Sequence, residues 1–206
     1  MKRYGRFLVG LLFVATLFSA CAPKDINTKI STMSVQVDTS FDAQTLEELE
    51  SQAKYIVQGK FQDDATEDLQ SEAGIVLYGA TVSSFEITKV YKGDFEVGDV
   101  IRIAEQYYVE DQDGQQTLVH YGNYMPSDVG REYLMFFDNP PENSERWKDT
   151  YTPLCLDRGR YPVINAKMRS GADVDNMTNE ELNLDTGDSS IYRQFYKDVI
   201  EKYMSE

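Results

Sequence analysis

The sequence predicts a mainly β protein: one small antiparallel β-barrel or sandwich, with a short helix before it and an amphipathic helix after it. Two observations lead to this fold class. Short β-prone runs separated by turn-forming residues occupy the middle of the chain, and apolar residues recur at helical spacing on either side of them. Residues 42–206 are long enough for a single domain with its own core.

The domain opens with a predicted short helix. Residues 45–48 have the pattern of a capping box, with Thr45 as the N-cap and Glu48 three residues later. Apolar residues follow at helical spacing, namely Leu46, Leu49 and Ala53.

The strands are predicted from alternation, β-branched and aromatic content, and the turns between them. Residues 132–137 are the most apolar stretch after the leader and predict a central strand, whereas the acidic residues 62–72 predict a loop. Asp113 and Gly114 predict a hairpin turn. The predicted strands cover residues 55–61, 75–91, 100–105, 107–110, 116–121, 132–137, 150–156 and 160–163.

The end of the chain predicts an amphipathic helix. Ser189 or Ser190 can cap it, and it extends to about Met204. Its expected apolar stripe consists of Ile191, Phe195, Val199 and Tyr203.

The first twenty residues predict a secretory signal peptide. Lys2, Arg3 and Arg6 precede an uncharged apolar run over residues 7–18, and small residues then lead into Cys21. The run is too short to span a bilayer core, which needs about 20 apolar residues.

Residues 17–21 (Leu-Phe-Ser-Ala-Cys) resemble the lipobox of bacterial lipoproteins. The resemblance implies that Cys21 becomes the lipidated first residue of the mature chain, although Phe18 departs from the usual aliphatic residue. A diacyl group would anchor the protein at the extracytoplasmic face of the cell membrane. The polar residues 21–41 then predict a flexible tether.

The charge of the mature chain restricts its partners. Removing residues 1–20 takes away three of the 20 basic residues and none of the 35 acidic ones, which leaves a formal charge of −18. Such a surface repels nucleic acid and anionic lipid headgroups. With Cys21 lipidated, Cys155 has no partner for a disulfide, and its apolar neighbours predict a buried thiol.

No catalytic motif stands out, and we expect neither an enzyme nor a cofactor. His120 is the only histidine, and an ordinary strand position is favoured over a catalytic base. Residues 110–114 and 173–181 are acidic enough to suggest calcium, but a hairpin turn and helix capping explain them equally well, and we predict no metal site.

Four tyrosines flank the predicted hairpin and form the candidate binding site. If they share one face, they can stack on sugars or grip a peptide. The alternative is that strands simply favour tyrosine. The four residues are Tyr107, Tyr108, Tyr121 and Tyr124.

The order of these pieces over residues 50–165 resembles that of uncharacterised bacterial lipoproteins with an OB-like barrel. It is also distantly similar to the netrin-like barrel of tissue inhibitors of metalloproteinases. The motifs that carry the resemblance are Lys-Gly-Asp at 92–94, Gly-Asp at 98–99, Gly-Arg at 130–131 and Gly-Arg-Tyr-Pro-Val at 159–163. Those inhibitors present a free N-terminal cysteine to zinc, a role that a lipidated Cys21 does not match.

We therefore expect a lipid-anchored binding or scaffolding module whose partner is a protein or a glycan. The alternative is an extracytoplasmic hydrolase, or a protein similar to a protease inhibitor, whose site is dispersed in the sequence. A solute-capturing lipoprotein ranks third because the chain is short for two lobes.

Overall fold

The computed structural model of this protein describes residues 30–37, 41–112, 114–142, 144–163 and 171–205. Within these ranges the protein is mainly β, as predicted, and none of their helices has the length and apolarity needed to cross a bilayer. The predicted signal peptide, Cys21 and Asp113 lie outside the described residues.

Ten strands and three α-helices are present in the described residues. The strands are β1 (Ser31–Val35), β2 (Tyr55–Phe61), β3 (Thr66–Glu72), β4 (Ile75–Lys92), β5 (Val100–Glu105), β6 (Tyr107–Gln112), β7 (Gln115–Tyr121), β8 (Glu132–Phe137), β9 (Thr150–Tyr151) and β10 (Arg160–Pro162). The helices are α1 (Leu46–Gln52), α2 (Gly171–Asn176) and α3 (Ser190–Val199), and a π-helical turn over Ile200–Met204 continues α3.

The larger sheet curls into a half-barrel and has the strand order β10-β8-β2-β4-β5-β9, with β3 paired to the first half of β4. A smaller sheet has the order β1-β7-β6. The predicted antiparallel arrangement holds for most neighbours, but β1 pairs with β7 and β5 pairs with β9 in parallel.

β8 is a central strand, as its apolar sequence predicted, because both of its faces are buried. Tyr133, Met135 and Phe137 pack against β2, β4 and β5 on the face away from the helices. Leu134 and Phe136 point to the other face, where they join the core formed with α1 and α3. The period of two along a strand thus divides one apolar run between two hydrophobic clusters.

The predicted helix α1 forms with its predicted cap. The Thr45 hydroxyl accepts a hydrogen bond from the Glu48 amide at 3.2 Å, and the Glu48 carboxylate accepts one from the Gln44 amide at 2.8 Å. At the other end, Lys92 donates to the carbonyl oxygens of Glu50 and Ala53 at 2.8 and 2.6 Å. Both ends of this short helix therefore have partners for their free backbone groups.

Two predicted irregular segments prove to be strands. Residues 31–35, placed in the tether, form β1, because their backbone adds to β7 and Ser34 donates to the Gly122 carbonyl at 2.9 Å. Residues 66–72, placed in a loop, form β3, which turns into β4 through Ala73 and Gly74, both with positive φ. Such a turn suits the twist of a hairpin.

The stripe of α3 is rotated by one position from the prediction. Phe195 and Val199 are buried as expected, whereas Ile191 is 54% exposed. Tyr192 and Tyr196 take its place in the core. The Ser190 amide is capped by the Asp188 carboxylate at 2.9 Å rather than by a serine.

We expect Gly59→Ala to destabilise the protein because β2 passes too close to β4 for a side chain. A Cβ atom at Gly59 would lie 2.3 Å from the Glu86 carbonyl oxygen and 2.4 Å from the Phe85 ring. Overpacking of this kind lowers the free energy of unfolding by about 1–3 kcal/mol. Urea unfolding measures the loss, with Gln70→Ala on the exposed strand β3 as control; equal stability of the two variants would contradict the packing described.

Candidate functional site: two clefts beside the turn at residues 155–159

The four candidate tyrosines do not form one exposed face. Tyr108 and Tyr121 are 6% and 5% exposed and pack together in the core of the smaller sheet, and Tyr124 is fully buried. Tyr107 precedes Tyr108 on β6 and pairs with His120, so it lies on the opposite face and is partly exposed. The expected aromatic patch is therefore divided between a core and a surface.

His120 lies on strand β7, as predicted, and its side chain is buried. It is 1% exposed, and its Nδ1 lies 3.0 Å from the Gly122 carbonyl oxygen. A carbonyl only accepts, so Nδ1 carries the proton. Its Nε2 has no hydrogen-bond partner among the described residues and lies 3.7 Å from a carboxylate oxygen of Asp185.

The acidic segments serve turns and surface ion pairs. The Asp111 carboxylate accepts from the Gly114 amide at 2.9 Å, and Asp175 pairs with Lys197 at 2.8 Å. No group of three or more metal-ligating side chains occurs in the part of the chain that the structure describes.

The most unusual feature of the core is a buried ion pair between Arg160 on β10 and Glu105 at the end of β5. Their closest atoms, Nη1 and Oε1, are 3.3 Å apart, and the side chains are 0% and 2% exposed. The same Glu105 oxygen accepts from the Tyr124 hydroxyl at 3.1 Å and from the Ser127 hydroxyl at 2.5 Å. Burial raises the pKa of the Glu105 carboxyl, while Arg160 and these donors lower it.

Arg160 connects this pair to two loops. It donates to the Met125 carbonyl at 2.7 Å through Nη1 and to the Asn183 carbonyl at 2.7 Å through Nη2. Its guanidinium carbon lies 3.9 Å from the centre of the Tyr124 ring. One side chain thus holds β10, the loop at 124–127 and the segment before α3 in fixed positions.

A strained turn at residues 155–159 leads directly into Arg160. Cys155 and Leu156 both have positive φ, at 52° and 56°. A Cβ atom at Gly159 would lie 2.3 Å from the Leu154 carbonyl oxygen, so the turn closes tightly only with glycine there. Two consecutive left-handed residues other than glycine persist only where the surroundings hold them.

Residues 41–43 bind across this turn. Arg158 donates to the Ala43 carbonyl at 2.6 Å and forms an ion pair with Asp42. The Cys155 thiol lies 3.6 Å from the Phe41 carbonyl oxygen. We call residues 41–43 the strap.

The first cleft is lined by Cys155 and Leu156 of the turn and has a volume of about 290 Å³. The loop after β8 and the loop after β9 form its walls, and Gln106 contributes from the β5–β6 junction. The lining of this cleft is both polar and apolar, and it includes Phe41, Gln106, Asn139, Thr152, Pro153 and Leu156.

The second cleft is lined by Asp157 and Arg158 of the same turn and has a volume of about 210 Å³. Asp157, Asp188 and Asn123 are among its lining residues. Burial raises the pKa of the Asp157 carboxyl, although Arg158 and Arg160 lower it. The amide and hydroxyl of Ser190 lower the pKa of Asp188. Two carboxylates in different electrostatic environments therefore line one cleft.

The sequence singled out Cys155 as a buried thiol and residues 159–163 as a structural motif, but it predicted no site here, because the site is assembled from distant segments. Glu105 and Arg160 are 55 positions apart. The sequence contained one local signal. Glu105 follows Ile101 and Ile103 at intervals of two along β5, so its charged side chain lies on the same buried face as these core residues. A buried charge requires a partner, and Arg160 supplies it.

Comparison of the chain with protein-family models, with curated proteins and with solved structures finds no match. The site must therefore be interpreted from its own chemistry.

We expect Arg160→Met to lower the free energy of unfolding by about 3–5 kcal/mol, because it leaves the Glu105 carboxylate buried without its counter-ion. The double variant Glu105→Gln/Arg160→Met removes both charges and is expected to lose less than the sum of the two single variants. Guanidinium unfolding of the four proteins in this cycle measures the coupling. Strict additivity would show that the two side chains do not stabilise each other.

We expect Cys155 to react slowly with Ellman's reagent in the folded protein. The residue is 6% exposed, and burial raises the pKa of its thiol, so little thiolate forms at neutral pH. In a Cys21→Ser variant Cys155 is the only remaining cysteine. Its reaction is expected to accelerate with rising pH and on unfolding in guanidinium; rapid reaction of the folded protein at pH 7 would contradict its burial.

Proposed function

We propose that this protein is a lipid-anchored extracytoplasmic module that binds or scaffolds a protein or a glycan. The leader at residues 1–20 directs export, and a diacyl group on Cys21 attaches the mature chain to the membrane. The acidic surface makes nucleic acid an unsuitable partner.

The observation that supports the binding role is the pair of clefts that share one turn, whose residues are held by contacts with the strap. The strap binds Cys155 and Arg158 of the turn, and the hydrogen bonds of the Arg160 side chain hold the residue that follows the turn. Binding groups that are fixed by their supports lose little freedom when a ligand arrives. Small-ligand sites are concave and combine apolar walls with a few polar groups in fixed positions.

The anchor is tested by the intact mass of full-length protein extracted from the membranes of a bacterial host. We expect the mass of residues 21–206 plus a diacylglyceryl group, and we expect Cys21→Ser to lose both the lipid and the membrane association. Cys155→Ser is the matched control and should keep both. An unmodified wild-type chain that begins after residue 20 would refute the anchor.

A second candidate is an extracytoplasmic hydrolase, and the two aspartates of the second cleft favour it. Asp157, whose carboxyl pKa is raised by burial, and Asp188, whose carboxyl pKa is lowered by hydrogen bonds, line the same cleft, and acid–base catalysis uses carboxyl groups with different pKa values. Turnover of a substrate that fits this cleft would distinguish this candidate from the binding module.

A further inference from the structure

We propose that the second cleft binds one neutral sugar residue of a glycan, an inference that rests on the binding role proposed above. Asp157 and Asp188 supply acceptors for hydroxyl groups. The side chains of Asn123, Gln36 and Ser190 line the same cleft and can both donate and accept. A sugar presents several neighbouring hydroxyls that each donate and accept, and this set of groups matches them.

The size of the cleft suits one sugar ring. Its volume of about 210 Å³ lies below that of pockets for drug-sized ligands, which begin at about 300 Å³. Longer chains must therefore extend out of the cleft. This geometry favours recognition of a chain end or of one residue along a glycan.

An apolar side chain stands beside the polar groups. Ile191 is 54% exposed and lines the cleft at the start of α3. A sugar ring has an apolar face of C–H groups as well as its hydroxyl edge, so the same ligand can use both kinds of contact. The sequence predicted that Ile191 would be buried; its exposed side chain would instead contact the apolar face of the sugar.

The polar groups of the cleft are held in place by the backbone. The Asn123 side chain donates to the Asp188 carbonyl at 2.8 Å, and the Asp188 carboxylate accepts from the Ser190 amide at 2.9 Å. Asp157 lies within the turn that the strap and Arg160 hold. The acceptors are therefore positioned before any ligand binds.

The charge of the cleft selects against acidic sugars. Arg158 also lines the cleft, but its charge is balanced by Asp42 of the strap. The two aspartates thus leave the lining negative. An acidic sugar would be repelled, whereas a neutral one meets acceptors without an unbalanced charge of its own.

The test measures binding of triacetylchitotriose, the neutral trimer of N-acetylglucosamine (called chitotriose below), to the detergent-solubilised full-length protein by calorimetry. We expect saturable binding that weakens about tenfold or more in Asp157→Asn and in Asp188→Asn, because each variant loses a hydrogen bond to a charged acceptor. Asp63→Asn changes an exposed aspartate outside the cleft and is expected to bind like the wild type. Thermal unfolding verifies that each variant is folded. If Asp157→Asn does not fold, Asp188→Asn alone tests the inference, because Asp188 is exposed and its substitution is not expected to disturb the core.

Two related trisaccharides define the ligand class. Trigalacturonic acid, which is acidic, is expected not to bind; binding equal to that of chitotriose would overturn the inference. If only the trimer of glucosamine binds, the cleft recognises an ammonium group and the inference is likewise wrong.

The remaining outcomes separate this inference from the function on which it rests. Absence of chitotriose binding by a protein that carries its lipid would refute the sugar site and leave the anchored module standing. Release of reducing ends that is lost in Asp157→Asn would retain the sugar site and replace the binding role by that of a hydrolase.

Discussion

The buried ion pair between Glu105 and Arg160 is the interaction on which the arrangement of the clefts depends. Moving two charges out of water is unfavourable unless each finds partners in the protein. Here the carboxylate accepts from two side chains besides the guanidinium, and the guanidinium donates to two backbone carbonyls. These hydrogen bonds form only when β5, β10 and the two loops meet at one point. The ion pair therefore fixes the positions of these four segments relative to one another.

The strained turn is a consequence of those fixed positions. Arg160 fixes the start of β10, and the strap binds Cys155 and Arg158. Cys155 and Leu156 adopt left-handed conformations between these fixed points. Such conformations are unfavourable by about 1–3 kcal/mol each. The contacts around the turn must offset this strain, and the same contacts give the two clefts walls of defined shape.

Sequence reasoning succeeded where one local pattern determined the structure. The bounds of β2, β5 and β8 follow from apolar runs between turn residues, and α1 follows from its capping box. It failed for β1 and β3. Their polar residues form strands because their backbones pair with the edges of β7 and β4. The site lay beyond local patterns: adjacent tyrosines such as Tyr107 and Tyr108 point to opposite faces, and the pairing of Glu105 with Arg160 is set by the tertiary fold.

The short strand β1 also determines how far the domain can move from its proposed anchor. A freely moving tether over residues 21–41 would allow a reach of about 70 Å, at about 3.5 Å per residue. Because Ser31 is already part of the smaller sheet, ten residues from Cys21 onward separate the proposed lipid from the sheet, and a chain of ten residues spans at most about 35 Å. That distance is close to the thickness of the bilayer core, about 30 Å. An anchored domain would be confined to a thin layer above the lipid, where it meets other surface-bound molecules at high local concentration and distant ones hardly at all.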